Sequence, residues 1–212
     1  LKEMFLDHVD IDKQNLFTPD GTIAKDTIFE YCKLYEQRIA SFGGIDIALL
    51  GIGRVGNIAF NEPGSRLNSA TRLILLDNAS RNEAAKSFGS IESTPVSSIT
   101  MGVSTILAAK KIFLMAWGED KAHMINNCVE GAVTDNIPAS YIQTHNDAHV
   151  VIDLSAAANL TRIQRPWLVT SCEWNDKLIR SAIVWLCAIT KKPILKLTNK
   201  DYNENGLSEL LA

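Results

Sequence analysis

Gly51, Gly53 and Gly56 stand at the spacing G-x-G-x-x-G directly after the apolar run Ile45–Leu50, and the same segment delivers Asn57, Asn61 and Glu62 before Pro63 and Gly64. Two chemistries compete for such a loop. In a dinucleotide-binding unit the glycines admit a pyrophosphate, a helix starts at the last glycine, and an acidic residue about 20 positions further on holds the ribose. Asp77, at the end of an apolar stretch 21 positions after Gly56, fits that acidic place. The helix does not fit, because Pro63 and Gly64 arrive within eight residues of Gly56 and the following SRLNSAT is loop-like. The spacing therefore argues against a dinucleotide. The second chemistry is recognition of a hydroxylated, sugar-like ligand. Gly51 and Gly53 allow close approach of backbone N–H groups, and Asn57, Asn61 and Glu62 supply polar contacts at the end of a buried strand, where open α/β sheets place their ligands. The same residues equally allow Asn57 and Asn61 only to tie the turn together through side-chain to backbone hydrogen bonds.

Other chemistry is thinly represented. Cys32, Cys128, Cys172 and Cys187 are scattered in apolar surroundings without a C-x-x-C pair, which reads as buried reduced thiols. His8, His123, His145 and His149 form no helical metal-ligand pair. No metal and no cofactor are expected. A net charge of −3 without a basic run argues against nucleic acid as a partner. No stretch approaches the roughly 20 apolar residues of a membrane span, and LKEMFLDHVD lacks a signal-peptide pattern, so the expectation is a cytoplasmic protein that does not use a membrane.

The elements that must position the loop follow from period. Thr27–Phe42 reads as an amphipathic helix with Ile28, Tyr31, Leu34, Tyr35 and Ile39 inward, ending at Gly43-Gly44. Ile45–Leu50 reads as a strand buried on both faces. Strands at Arg72–Leu76, Ile112–Trp117 and His149–Leu154 alternate with helices at Asn78–Phe88, Met101–Ala109 and Glu119–Val129. Such alternation predicts an α/β fold with a three-layer open sheet, mainly parallel, and helices on both faces. A further helix is expected over Asn175–Ala188, with Trp167, Trp174 and Trp185 packing against the body of the protein. The expected division is an α/β domain over 1–163 and an extension over 164–212.

In this framework the sequence resembles the glucosamine-6-phosphate deaminase family, aldose–ketose isomerases that convert glucosamine 6-phosphate to fructose 6-phosphate and ammonia. The resemblance rests on FxDHVDI at Phe5–Ile11, LLGIGxxGxIAFNEPGSxL at Leu49–Leu67, Thr71-Arg72, ITMGVSTILAAKKIFLMAWGxxK at Ile99–Lys121 and VEG at Val129–Gly131. It implies a deaminase/ribose-phosphate-isomerase-like sheet, incomplete at the N-terminus, because the family's phosphate loop and proton-transferring aspartate lie before the first of these matches. It also implies a small-molecule sugar phosphate as partner and leaves a homo-oligomer open. Glu62 matches the family glutamate of ring opening. The family's aspartate and histidine in the glycine loop are replaced by Val55 and Asn57, so only Glu62 survives of that acid–base set, with Asn57 left to position a hydroxyl. Lys121 matches a phosphate-binding lysine. Lys86 stands where members carry a phosphate-binding arginine, keeping the charge and losing the bidentate fork. Ser65 and Arg72 match residues near the family's allosteric site, but Ile74 replaces a lysine there, so control by N-acetylglucosamine 6-phosphate is not expected. Beyond residue 164 the sequence resembles long, deaminase-like members in which an appended segment leads to a further domain. The catalytic candidates are thus Glu62 and Asn57. The substrate-binding candidates are Gly51, Gly53, Asn61, Lys86 and Lys121.

Overall fold

The structure, a computed structural model, describes residues 3–211. In chain order it contains α1 (Ile28–Ser41), β1 (Ile47–Gly51), β2 (Arg72–Leu75), α2 (Asn78–Phe88), β3 (Ser97–Thr100), α3 (Val103–Leu107), β4 (Lys111–Ala116), α4 (Ala122–Val129), β5 (Ala148–Ile152), α5 (Thr161–Gln164), α6 (Asp176–Thr190) and α7 (Asn199–Glu204). The helix α1 stops where the paired glycines predict, with the Gly44 N–H returning to the Ile39 carbonyl at 3.0 Å. Its inward face differs in one place: Leu34 is exposed, and Cys32 is the residue that is buried.

The expected open parallel sheet is formed by β1, β4 and β5 in that order. Register places Gly51 beside Met115 and Ala116 beside Ile152, so the three strands end together at one edge of the sheet. Alternation in β1 and β4 turns Ala48, Leu50, Ile112, Leu114 and Ala116 to one face. There they meet Ile106 of α3, Ile125 and Cys128 of α4, and Ala139 and Ile142 of a 3₁₀ segment, Pro138–Thr144. Each fully buried Ile or Leu of this set contributes about 1.5–3 kcal/mol. The opposite face presents Ile47, Leu49 and Val151 largely to solvent.

One strand was misplaced by the alternation argument. Arg72–Leu75 does not join the parallel sheet but pairs antiparallel with β3, a strand whose short, polar sequence Ser97–Thr100 carries no apolar run to announce it. The tryptophans also depart from expectation. Trp167 packs against Trp174 and Trp185 at 6.1 and 5.8 Å between ring centroids, and with Ala182, Leu186 and Leu207 forms a cluster built wholly from residues 167–210. They hold α6 and α7 to one another rather than covering the sheet. Among the described residues no helix is long and apolar enough to cross a membrane.

Candidate functional site

The chain leaves β1 into an irregular loop that contains no helix before β2, so the helix a dinucleotide would need is absent. Two of its glycines serve the loop's own packing. A Cβ on Gly53 would lie 1.8 Å from the Asn57 Oδ1, and Gly56 has φ +78° and leaves no room for a side chain, since a Cβ there would stand 2.7 Å from the Ile137 Cγ2. Around Gly51, at the end of β1, the space is open. Asn57 is half-buried and its amide donates to the Ala59 carbonyl at 3.1 Å, while the Gly53 N–H donates to the Asn57 carbonyl at 2.9 Å. Val55, where the family carries an acid, offers no titratable group.

Asn61 has no exposed surface. Its Nδ2 donates to the carbonyls of Ile58 at 3.1 Å and Met101 at 2.8 Å, and its Oδ1 accepts from the Arg72 Nη1 at 2.9 Å. With these groups engaged inside the protein, Asn61 is a tie between the loop, β2 and the turn before α3 rather than a ligand contact. Arg72 also donates to the Ser65 Oγ at 3.0 Å, and burial pulls its pKa below the ordinary arginine value. Glu62 is half-buried and lines an open cleft of about 620 Å³ with Ser65, Arg66, Ser69 and Arg72. Both its carboxylate oxygens accept from the Asp77 N–H, at 3.1 and 3.2 Å. Asp77 in turn caps α2 by accepting from the Ser80 N–H at 2.6 Å. The acidic residue that a ribose would have claimed is therefore a helix cap.

Lys121 closes a 3₁₀ turn, Glu119–Lys121, that follows β4 and runs directly into α4. It is half-buried, and its acidic neighbour Asp120 faces Arg54 of the β1 loop at 3.9 Å. Because β1 and β4 are adjacent, the loop carrying Glu62 and Asn57 and the turn carrying Lys121 emerge side by side from the carboxyl ends of the strands. Lys86 is exposed on the last turn of α2, about 13 Å along the helix from the Asp77 end that Glu62 holds.

Sequence reading passed over three groups. Arg54 bridges the β1 loop and the Lys121 turn. Asp153, the residue after β5, accepts from the N–H groups of Gly118 and Ala156; its place at a strand's carboxyl end was the available signal. Glu36 on α1 accepts from the Thr71 N–H at 2.7 Å and the Thr105 Oγ1 at 2.6 Å, a long-range bond with no local signature.

Fold and site together define an open parallel α/β domain of the kind that binds small molecules at the carboxyl ends of its strands. Comparison with known proteins narrows the class: the chain belongs to the glucosamine-6-phosphate isomerase/6-phosphogluconolactonase family, whose sequence profile it matches over residues 1–151. It is 86% identical over all 212 residues to a glucosamine-6-phosphate deaminase-like protein of Bacteroides thetaiotaomicron, of which it covers 32%. A glucosamine-6-phosphate deaminase of Shewanella halifaxensis is 51% identical over 161 residues, 76% of this chain and 60% of that protein. The solved structure of a monomeric glucosamine-6-phosphate deaminase superimposes with a TM-score of 0.71 at 39% identity, covering 74% of this chain and 65% of the other. The 6-phosphogluconolactonase of Thermotoga maritima, with a TM-score of 0.53 at 17% identity, shares the fold. The chain thus spans less than two thirds of the length of these relatives.

Proposed function

We propose that the chain supplies the sugar-phosphate site of a protein that converts an amino-sugar 6-phosphate to a ketose phosphate with release of ammonia. The observation that supports this most is the side-by-side emergence of the Glu62 loop and the Lys121 turn from adjacent parallel strands. In this reading the Lys121 ammonium, at the start of α4, binds the phosphate with help from the helix N-terminus. Lys86 adds positive charge, Asn57 orients a hydroxyl or the ring oxygen, and Glu62 handles the proton of ring opening. Glu62 remains a competent base while it accepts from Asp77, because a carboxylate has lone pairs beyond those two contacts. The 164–212 extension, with its own apolar cluster, connects this domain to a further one.

A second reading is favoured by Val55 and by the closure of Asn57 on its own loop: a domain that binds the sugar phosphate without turning it over. Incubating the longer natural protein with glucosamine 6-phosphate and measuring fructose 6-phosphate and ammonia separates the two. Equimolar products support the enzyme. Binding without product, with activity appearing only after Val55→Asp and Asn57→His, supports the disabled site.

A further inference from the structure

The geometry points to Asp153 as the positioning residue of the Lys121 turn, a role that deepens the phosphate-site reading above. Its carboxylate lies between two strand exits. The Oδ1 accepts from the Gly118 N–H at 3.1 Å and from the Ala156 N–H at 2.8 Å, and the Oδ2 lies 3.3 Å from the same Gly118 nitrogen. The Asp153 carbonyl also receives the Ala157 N–H at 3.0 Å, so the residue is itself fixed by the turn it begins. The strands β4 and β5 pair as far as Ala116 and Ile152. Asp153 therefore extends the linkage between them past the last ladder position, where no backbone pairing remains to hold Trp117 and Gly118.

Gly118 is the pivot. Its N–H is held by Asp153, and its carbonyl accepts from the Lys121 N–H at 3.2 Å, closing the turn. Its φ of +90° belongs to glycine, and a Cβ there would stand 3.0 Å from the Asp120 Oδ1. A single residue, Gly118, thus separates the Asp153 carboxylate from the backbone N–H of Lys121. A half-buried lysine on a turn held at only one end samples many positions of its ammonium, and a charged hydrogen bond is worth little without preorganisation. Asp153 touches no ligand in this account. It sets where Lys121 stands, and it does so by accepting two N–H groups rather than by its charge.

That distinction gives the test. An asparagine keeps an oxygen that can accept from both Gly118 and Ala156, whereas alanine keeps none. Wild type, Asp153→Ala, Asp153→Asn and Lys121→Ala are compared in the full-length protein. Amide hydrogen exchange of residues 118–121 is measured, together with calorimetric binding of glucosamine 6-phosphate and of glucosamine. Asp153→Ala is expected to deprotect the Gly118 amide and to weaken glucosamine 6-phosphate by about tenfold, on the scale of one charged hydrogen bond, without changing glucosamine. Asp153→Asn should restore both readouts. Adding Asp153→Ala to Lys121→Ala should weaken the phosphorylated sugar no further, since both act through one contact. Unchanged Gly118 protection in Asp153→Ala, no rescue by asparagine, or additive losses in the double variant would overturn the assignment. If Lys121→Ala itself leaves binding untouched, the phosphate reading fails, and exchange at residues 118–121 still decides whether Asp153 holds the turn.

Discussion

Replacing Asn61 by alanine separates a structural tie from a ligand contact. In the folded chain Asn61 is fully buried, donates to two carbonyls and accepts from the Arg72 guanidinium. Two neutral hydrogen bonds at about 1 kcal/mol each and one to a charged group at about 1.5–3 kcal/mol sum to roughly 3.5–5 kcal/mol. Arg72 keeps Ser65, which favours the lower end, so the expected loss is about 3.5–4 kcal/mol. For a chain of this size that corresponds to a midpoint roughly 10 °C lower. Asn61→Asp at neutral pH should be at least as damaging, because it keeps an acceptor for Arg72 while turning a carboxylate oxygen toward the Ile58 and Met101 carbonyls. Urea unfolding followed by circular dichroism measures both variants, with the m-value checking that the transition stays two-state. A loss within about 0.5 kcal/mol, the range of surface substitutions, would refute the tie. If that small loss came with weakened sugar-phosphate binding, Asn61 would return to the ligand contacts.

The loop predicts a second effect. Gly53→Ala should cost about 1–3 kcal/mol by overpacking against Asn57, and Asn57→Ala in the same chain should recover most of it; additive losses in the double-mutant cycle would show that the two do not share the space. Cys128 is buried and its thiol is pushed up to about 12 by that burial, so iodoacetamide at pH 8 should label Cys172 and Cys187, which are half-buried, well before Cys128, as read by mass spectrometry of time points. Asp201, held by Lys192 and by the Thr198 backbone and hydroxyl, has its pKa lowered from 3.8 to about 2. A depressed folded pKa stabilises fully above the unfolded value and is lost as pH falls through the folded one. The melting temperature should therefore drop between about pH 4 and pH 2 in the wild type, and Asp201→Asn should be less stable at pH 7 and flatter across that window.

Much of the fold was legible because its signals are local. The apolar runs before Gly51 and over Ile112–Ala116 announced strands, and the 3.6-residue period of α1 reflects burial of one face; the expectation that the first strand is buried on both faces fails, because Ile47 and Leu49 face solvent and only Ala48 and Leu50 are buried. The Pro63-Gly64 pair correctly announced that no helix follows the glycine loop. What escaped was long-range pairing: the antiparallel partner of Arg72–Leu75 is a polar tetrapeptide, and nothing within either strand specifies the other. In the candidate site the types of residue were legible and their tasks were not. Asn61 and Asp77 are polar residues near a strand end, and only coordinates reveal that their groups are occupied by the Met101 carbonyl, Arg72 and the Ser80 N–H. Asp153 was readable in principle, as a carboxylate directly after an apolar strand, yet its function depends on Gly118, which lies 35 positions away.

The proposed phosphate site rests most directly on Lys121. Calorimetric titration of the wild type and Lys121→Ala with glucosamine 6-phosphate and with glucosamine tests it. The alanine variant should melt near the wild-type temperature, as among the described residues the Lys121 side chain makes no hydrogen bond or ion pair that the substitution would remove. It should bind the phosphorylated sugar more weakly by about 1.5–3 kcal/mol while leaving the unphosphorylated sugar unchanged. An equal loss for both sugars, or no loss for either, would contradict a phosphate site at the carboxyl end of β4.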